Sequence, residues 1–184
     1  MKKIKNILFI AFVVYLSSYI LIKVFIPEKT TELLGFNSYI VVTSSMEPDI
    51  MVNDLIIIRK VKEEDLKVRD AITFSVYLPE LGAKSKVTHY IGDIQNDGTT
   101  LIYKTQGATK AAGDYDDWKD ANNNSVEITY QDIEGRVVMV IPYVGYAVNI
   151  LRNPVGLLLL SMNIGIIYLL VKTIKKPQNK IENH

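Results

Sequence analysis

The stretch Ile72-Thr73-Phe74-Ser75-Val76-Tyr77 places an apolar side chain at every second position, and Val87-Thr88-His89-Tyr90-Ile91 repeats the pattern further along. Period two is the mark of a strand with one buried face. Segments 39–42, 55–59, 101–104, 126–130 and 136–141 are further strand candidates between polar turns. With no helical stripe of comparable length among them, these strands imply a mainly β domain, an antiparallel sandwich or barrel. Residues 114–125, rich in Asp and Asn, read as a long surface loop.

Outward from this β-rich middle, the composition changes at both ends. Residues 7–22 are almost unbroken apolar sequence interrupted only by Tyr and Ser, and Val24, Phe25 and Ile26 continue it past Lys23 to Pro27. A spanning helix needs about 20 such residues, and a lysine near its end snorkels to the interface. A cleaved secretory leader is the rival reading, because Lys2, Lys3 and Lys5 precede the apolar run. No A-x-A site follows it, so a retained anchor over 7–26 is expected. A second span is expected over 154–171, opening on Pro154, a favourable first-turn residue. Asn163 within it is expected to hydrogen-bond in or between helices. The resulting layout is a basic tail (1–6), a span (7–26), a β-rich domain (27–153), a span (154–171) and a basic tail (172–184). Lys2, Lys3 and Lys5 outside one span, and Lys172, Lys175 and Lys176 outside the other, place both termini in the cytoplasm and the domain outside it.

Charge supports that layout. The stretch from Lys23 to Arg152 holds 14 basic against 19 acidic residues, although the whole chain has a net charge of +1. An acidic middle excludes nucleic acid as the expected partner. The lipid bilayer is the expected one. Cysteine is absent, which rules out disulfides and thiolate metal sites.

Few residues in the middle domain are suited to chemistry. A serine hydroxyl needs a base to become a nucleophile. His184 lies in the C-terminal tail, so His89 is the one imidazole in the domain, and imidazole titrates near neutrality. Its place on the face of Val87 and Ile91 predicts partial desolvation, which favours a neutral ring ready to accept a proton. A structural role for a lone histidine on a strand is the competing reading. Asp114, Asp116, Asp117 and Asp120 read either as a solvated acidic loop or as partners for that histidine; an EF-hand is disfavoured because its glycine position is unmet.

Thr43-Ser44-Ser45-Met46-Glu47-Pro48, followed by Asn53-Asp54-Leu55, resembles the serine box of type I signal peptidases, approximately S-G-S-M-x-P and then G-D-L. Val68-Arg69-Asp70-Ala71-Ile72-Thr73-Phe74 resembles the family's V-G-D-I-V-x-F strand, and Val87-Thr88-His89-Tyr90-Ile91 its base-bearing strand. The usual bacterial enzymes carry lysine there, whereas the endoplasmic-reticulum type, also found in archaea and some Gram-positive bacteria, has V-x-H-R-I. This chain resembles the latter. Tyr103-Lys104-Thr105-Gln106-Gly107-Ala108 fits the start of a T-K-G-D-A-N box, with Ala108 where an aspartate is expected. Gly135-Arg136-Val137-Val138-Met139-Val140-Ile141-Pro142-Tyr143-Val144-Gly145-Tyr146 resembles the last strand, ending I-P-Y-x-G-Y.

The resemblance implies that Ser45 is the nucleophile, His89 the general base and Thr43 an oxyanion donor. Asp114 is selected by both alignments of the third box and is expected to orient His89, with Asp116 and Asp117 as alternates. Lys84 and Lys86 are the fallback bases of a serine/lysine dyad. The implied reaction is removal of signal peptides from preproteins after small residues, without cofactor or metal, with secretion machinery as a further partner. Two alternatives stand beside it. One is an inactive anchored β-domain that binds secreted proteins, suggested by Ala108. The other is the self-cleaving domain of SOS repressors, which two spans argue against.

Overall fold

The computed structural model describes residues 2–174. Most of the tail expected at 172–184, with Lys175, Lys176 and His184, therefore lies outside the described residues. The elements in chain order are α1 (Lys2–Phe25), α2 (Thr30–Leu34), β1 (Phe36–Ile40), β2 (Leu55–Arg59), β3 (Ala71–Leu78), β4 (Ala83–Asn96), β5 (Leu101–Gln106), β6 (Ile133–Ile141), α3 (Val144–Arg152) and α4 (Pro154–Ile174). The domain is mainly β, as the alternation implies. It is a single antiparallel six-stranded sheet in the order β1-β2-β6-β3-β4-β5.

Alternation along β3 sends Ile72, Phe74 and Val76 to one face and Ala71 to the other. The first face holds a core of Ile72, Phe74, Ile91, Tyr103, Ile128 and Ile133. Behind Ala71 lies a second core of Met46, Ile50, Ile56 and Ile58. Ile58, Ile72, Phe74 and Ile91 are fully buried, and each such side chain contributes about 1.5–3 kcal/mol. The two ends of the sheet meet through the β1–β2 connection, where the Ala108 N–H beyond β5 donates to the Ser45 carbonyl at 2.9 Å.

One local reading is corrected. Residues 126–130 form no strand: only a single bridge, Ile102 with Thr129, joins them to β5. The Asp132 carboxylate accepts the Thr129 N–H at 3.0 Å and its hydroxyl at 2.9 Å, which turns the chain there. Two short helices, α2 and α3, flank the sheet within the middle domain. Gly145 of α3 packs against Asn53, with a built Cβ only 2.7 Å from the Asn53 carbonyl oxygen, and its N–H donates to that oxygen at 2.7 Å.

Helices α1 and α4 are exposed along most of their lengths. Their apolar stretches, Lys3–Phe25 and Pro154–Ile174, have mean hydropathies of 2.3 and 2.1 and are long enough to cross a bilayer. Asn163 donates to the Leu159 carbonyl at 2.8 Å, the hydrogen bond within the helix that lipid demands. The end of α1 is fastened to the sheet. Lys23 Nζ donates to Asn37 Oδ1 at 3.0 Å and to the Ser38 carbonyl, and Tyr19 stacks on Phe36 at 5.3 Å between ring centroids.

Behind this joint lies a buried carboxylate. Glu134 Oε1 accepts from Thr31 at 2.7 Å, Asn37 at 3.2 Å and Tyr39 at 2.5 Å, while Oε2 faces Lys86 Nζ at 3.0 Å. Burial pushes the Glu134 carboxyl up, but these donors and the Lys86 charge outweigh it and hold it below the ordinary carboxylate range.

Candidate active site

The β1–β2 connection is closed at its base. Asn53 donates to the Val41 carbonyl at 2.9 Å, and Val41 donates to that of Asp54 at 2.9 Å. The buried Asp54 carboxylate accepts the N–H groups of Met51 at 2.9 Å and Tyr143 at 3.2 Å. Within the connection Met46 and Ile50 are buried, so their side chains plug the second core and fix the turn that carries Ser45. Ser45 is half-buried and Thr43 exposed. Both line a cavity of ≈ 180 Å³ whose walls include Val41, Val42, Met46, Leu78 and Val87.

His89 sits on β4 opposite Ile72 and is 6% exposed. Its Nδ1 lies 2.6 Å from Asp116 Oδ2. The same oxygen accepts the Thr105 hydroxyl at 2.8 Å, and Trp118 Nε1 donates to Thr105 Oγ1 at 2.8 Å. The Trp118 ring also lies 5.6 Å from the imidazole, covering the pair. Asp116 Oδ1 faces Lys110 Nζ at 3.0 Å. Burial pushes the Asp116 carboxyl up, yet the His89 hydrogen bond and charge, with Lys110 and Thr105, more than offset it and hold it below the ordinary range.

Serine and histidine converge on Gly107. A Cβ built there would lie 2.7 Å from the Ser45 carbonyl oxygen and 3.9 Å from His89 Nε2. Among the described residues, Nε2 has no hydrogen-bond partner. A ring held at Nδ1 by a carboxylate keeps Nε2 free to accept a proton.

Of the other candidates Asp114 and Asp117 lie away from the imidazole, whereas Lys86 lines the Ser45 cavity. Asp114 is not brought to His89: its side chain is 65% exposed and its nearest charge is Lys110 at 3.9 Å. Asp117 is 68% exposed and pairs with Lys119 at 2.8 Å. Asp116, read from sequence only as an alternate, occupies the position beside the imidazole. Lys84 and Lys86 fall on the face of β4 opposite His89, since the β3–β4 register runs unbroken through Ala83 to Tyr90. Lys86 is further held by Ser75 at 2.8 Å and by Glu134. Lys110, Thr105, Trp118 and Gly107 escaped the sequence reading as parts of the site, although Thr105 and Gly107 stood within the quoted third box.

Fold and site together define a class: a β-sheet domain between two membrane-length helices, with a serine and a buried His–Asp pair meeting at one glycine. The chain is similar to Signal peptidase I W of Bacillus subtilis (strain 168), with 31% identity over 119 residues, covering 62% of this chain and 59% of that protein. The chain thus matches less than two thirds of the length of that relative. No family model matches the chain. The likeness to a type I signal peptidase read from the sequence boxes is supported by this comparison.

Proposed function

We propose that this chain is a membrane-anchored signal peptidase in which Ser45 is the nucleophile, His89 the general base and Asp116 the group that orients His89. The observation that carries the reading is the 2.6 Å contact of His89 Nδ1 with Asp116, beside a glycine flanked by the Ser45 backbone and by Nε2. Ser45 Oγ attacks the scissile carbonyl as Nε2 takes its proton. Asp116 holds the Nδ1–H tautomer and stabilises the imidazolium that forms. The imidazolium then protonates the leaving amine, and an acyl-enzyme on Ser45 remains for water to hydrolyse, with His89 again as base.

The Ser45 N–H has no hydrogen-bond partner among the described residues, which leaves it available to the developing oxyanion. The Thr43 hydroxyl on the same cavity is the second donor. Losing one such donor costs about 100-fold or more in rate. Residues before the cut lie in the small apolar cavity beside Ser45, which suits small side chains. The substrates are preproteins whose own apolar segment lies in the bilayer beside α1 and α4. Lysines flanking both helices put the termini in the cytoplasm and the site on the outer side.

The test is cleavage of a secretory precursor by the full chain in membranes. Ser45→Ala is expected to leave the precursor uncut, with residual activity down by about 1,000-fold or more. Cleavage at the parental rate would sink the proposal.

A further inference from the structure

Asp116 has two cationic neighbours and divides its carboxylate between them. Oδ2 faces the imidazole at 2.6 Å and Oδ1 faces Lys110 Nζ at 3.0 Å. The Asp116 side chain is 8% exposed and that of Lys110 36%, so the ammonium closes the outer side of a buried anion. The contact does not belong to a surface pair, because one partner is almost fully removed from water and screening is weak there.

We propose that Lys110 is a tuning residue for the His89–Asp116 pair: its ammonium offsets the Asp116 charge and so keeps the resting imidazole from being trapped as imidazolium. This rests on the reading of His89 as the base. An aspartate alone favours the protonated ring, which cannot accept the Ser45 proton. A second positive charge on the far oxygen disfavours that state electrostatically while leaving the Nδ1 hydrogen bond in place. The arrangement retains Asp116 as an orienting group and weakens it as a proton trap.

The other groups around the pair do not replace Lys110. On β5, Thr105 supplies a neutral hydroxyl, and on β3 Ile72 is apolar. Trp118 donates to Thr105 and carries no charge. Asp114, 3.9 Å from Lys110 and 65% exposed, is the remaining charged neighbour, and its solvated carboxylate screens the ammonium only in part. Among the described residues no other charged side chain forms an ion pair with Asp116.

The test measures two pH profiles on the full-length chain in lipid nanodiscs. In Lys110→Met, which keeps the stem and removes the charge, the acid limb of kcat/KM for a synthetic precursor is expected to move up by about half to one pH unit. Lys110→Arg is expected to restore the parental limb. A role in packing alone would lower the plateau without moving the midpoint. NMR of the His89 ring, recorded in a Ser45→Ala, His184→Gln background, should show the same upward movement of its titration midpoint. This second readout needs no peptidase activity, so a chain that cuts nothing would overturn the proposed function while the ring titration still decides the role of Lys110. Coincident His89 titrations with and without the Lys110 charge would overturn the inference.

Discussion

His89 Nδ1 and Asp116 Oδ2 lie 2.6 Å apart, with each side chain 8% exposed, while Asp114, two residues earlier, stands 65% exposed in solvent. The distinction predicts opposite outcomes for two similar substitutions. Asp116→Asn keeps the shape but stabilises the wrong tautomer, and is expected to lower kcat for precursor cleavage by about 1,000- to 10,000-fold. Asp114→Asn should change it by less than about threefold. Comparable losses in both variants, measured on membranes carrying equal amounts of protein, would remove Asp116 from the orienting role.

The same carboxylate predicts how stability responds to acid. Burial raises the Asp116 carboxyl, but His89, Lys110 and Thr105 together hold it below the ordinary range, so its folded value is depressed. A depressed carboxylate stabilises the fold fully above its unfolded value of about 4, and the contribution fades as pH falls through the folded value. Melting of the parent chain in nanodiscs should therefore drop steeply below about pH 4. Asp116→Asn should start from a lower Tm near neutrality and flatten this acid limb. Parallel Tm-against-pH curves for the two chains would contradict the linkage.

Gly107 tests the convergence of serine and histidine sterically. A methyl group at this position would meet the Ser45 carbonyl oxygen at 2.7 Å, and the atom it meets is backbone, which has no rotamer to yield. Gly107→Ala must push the Ser45 turn away from β5 or break the Ala108-to-Ser45 hydrogen bond of 2.9 Å. A loss of about 100-fold in kcat, with a destabilisation of about 1–3 kcal/mol, is expected. Near-parental cleavage and melting would mean that the Ser45 turn and the segment after β5 separate freely at this point.

Much of this architecture is legible in the sequence because it depends on period and local chemistry. Residues 55–59, a short apolar and β-branched run, become β2 with the same limits, and Pro154 does open α4. Asn53 and Arg69 stand where the family boxes carry glycine, and both adopt left-handed backbone, at φ 72° and 76°. Asparagine enters that region readily. Arginine does not, and here its N–H is held by the Ile91 carbonyl at 2.7 Å. Ser44, the other replacement of a glycine, is not among the left-handed residues and needs no such freedom.

The third box was illegible for a physical reason. Between Gly107 and Trp118 the chain follows no repeating conformation, so counting residues cannot tell which aspartate faces inward. That choice is made by tertiary contacts: the Asp116 N–H binds the Thr105 carbonyl at 2.8 Å, and the Trp118 ring packs edge-on against Phe74 at 5.5 Å. Segment 126–130 failed similarly. Its Ile128 is buried as a strand residue would be, but the Asp132 side chain captures Thr129 and ends any ladder.

Lys86 provides the remaining test, because structural and chemical roles give it different signatures. Its ammonium sits 3.0 Å from Glu134 Oε2 and donates to Ser75 at 2.8 Å, on the face of β4 that His89 does not share. A lysine base needs a nitrogen free to face the serine, and that of Lys86 is already engaged by the Glu134 carboxylate and the Ser75 hydroxyl. Lys86→Met should therefore behave as a stability variant. It leaves the buried Glu134 charge with neutral donors only, at a cost of about 1–3 kcal/mol. Cleavage should fall by less than about tenfold, whereas removing a general base costs about 1,000-fold or more. Glu134→Gln in the same background should recover much of the lost Tm, since it removes the charge that Lys86 had balanced. A collapse of kcat in Lys86→Met without loss of Tm would reassign the base from His89 to lysine.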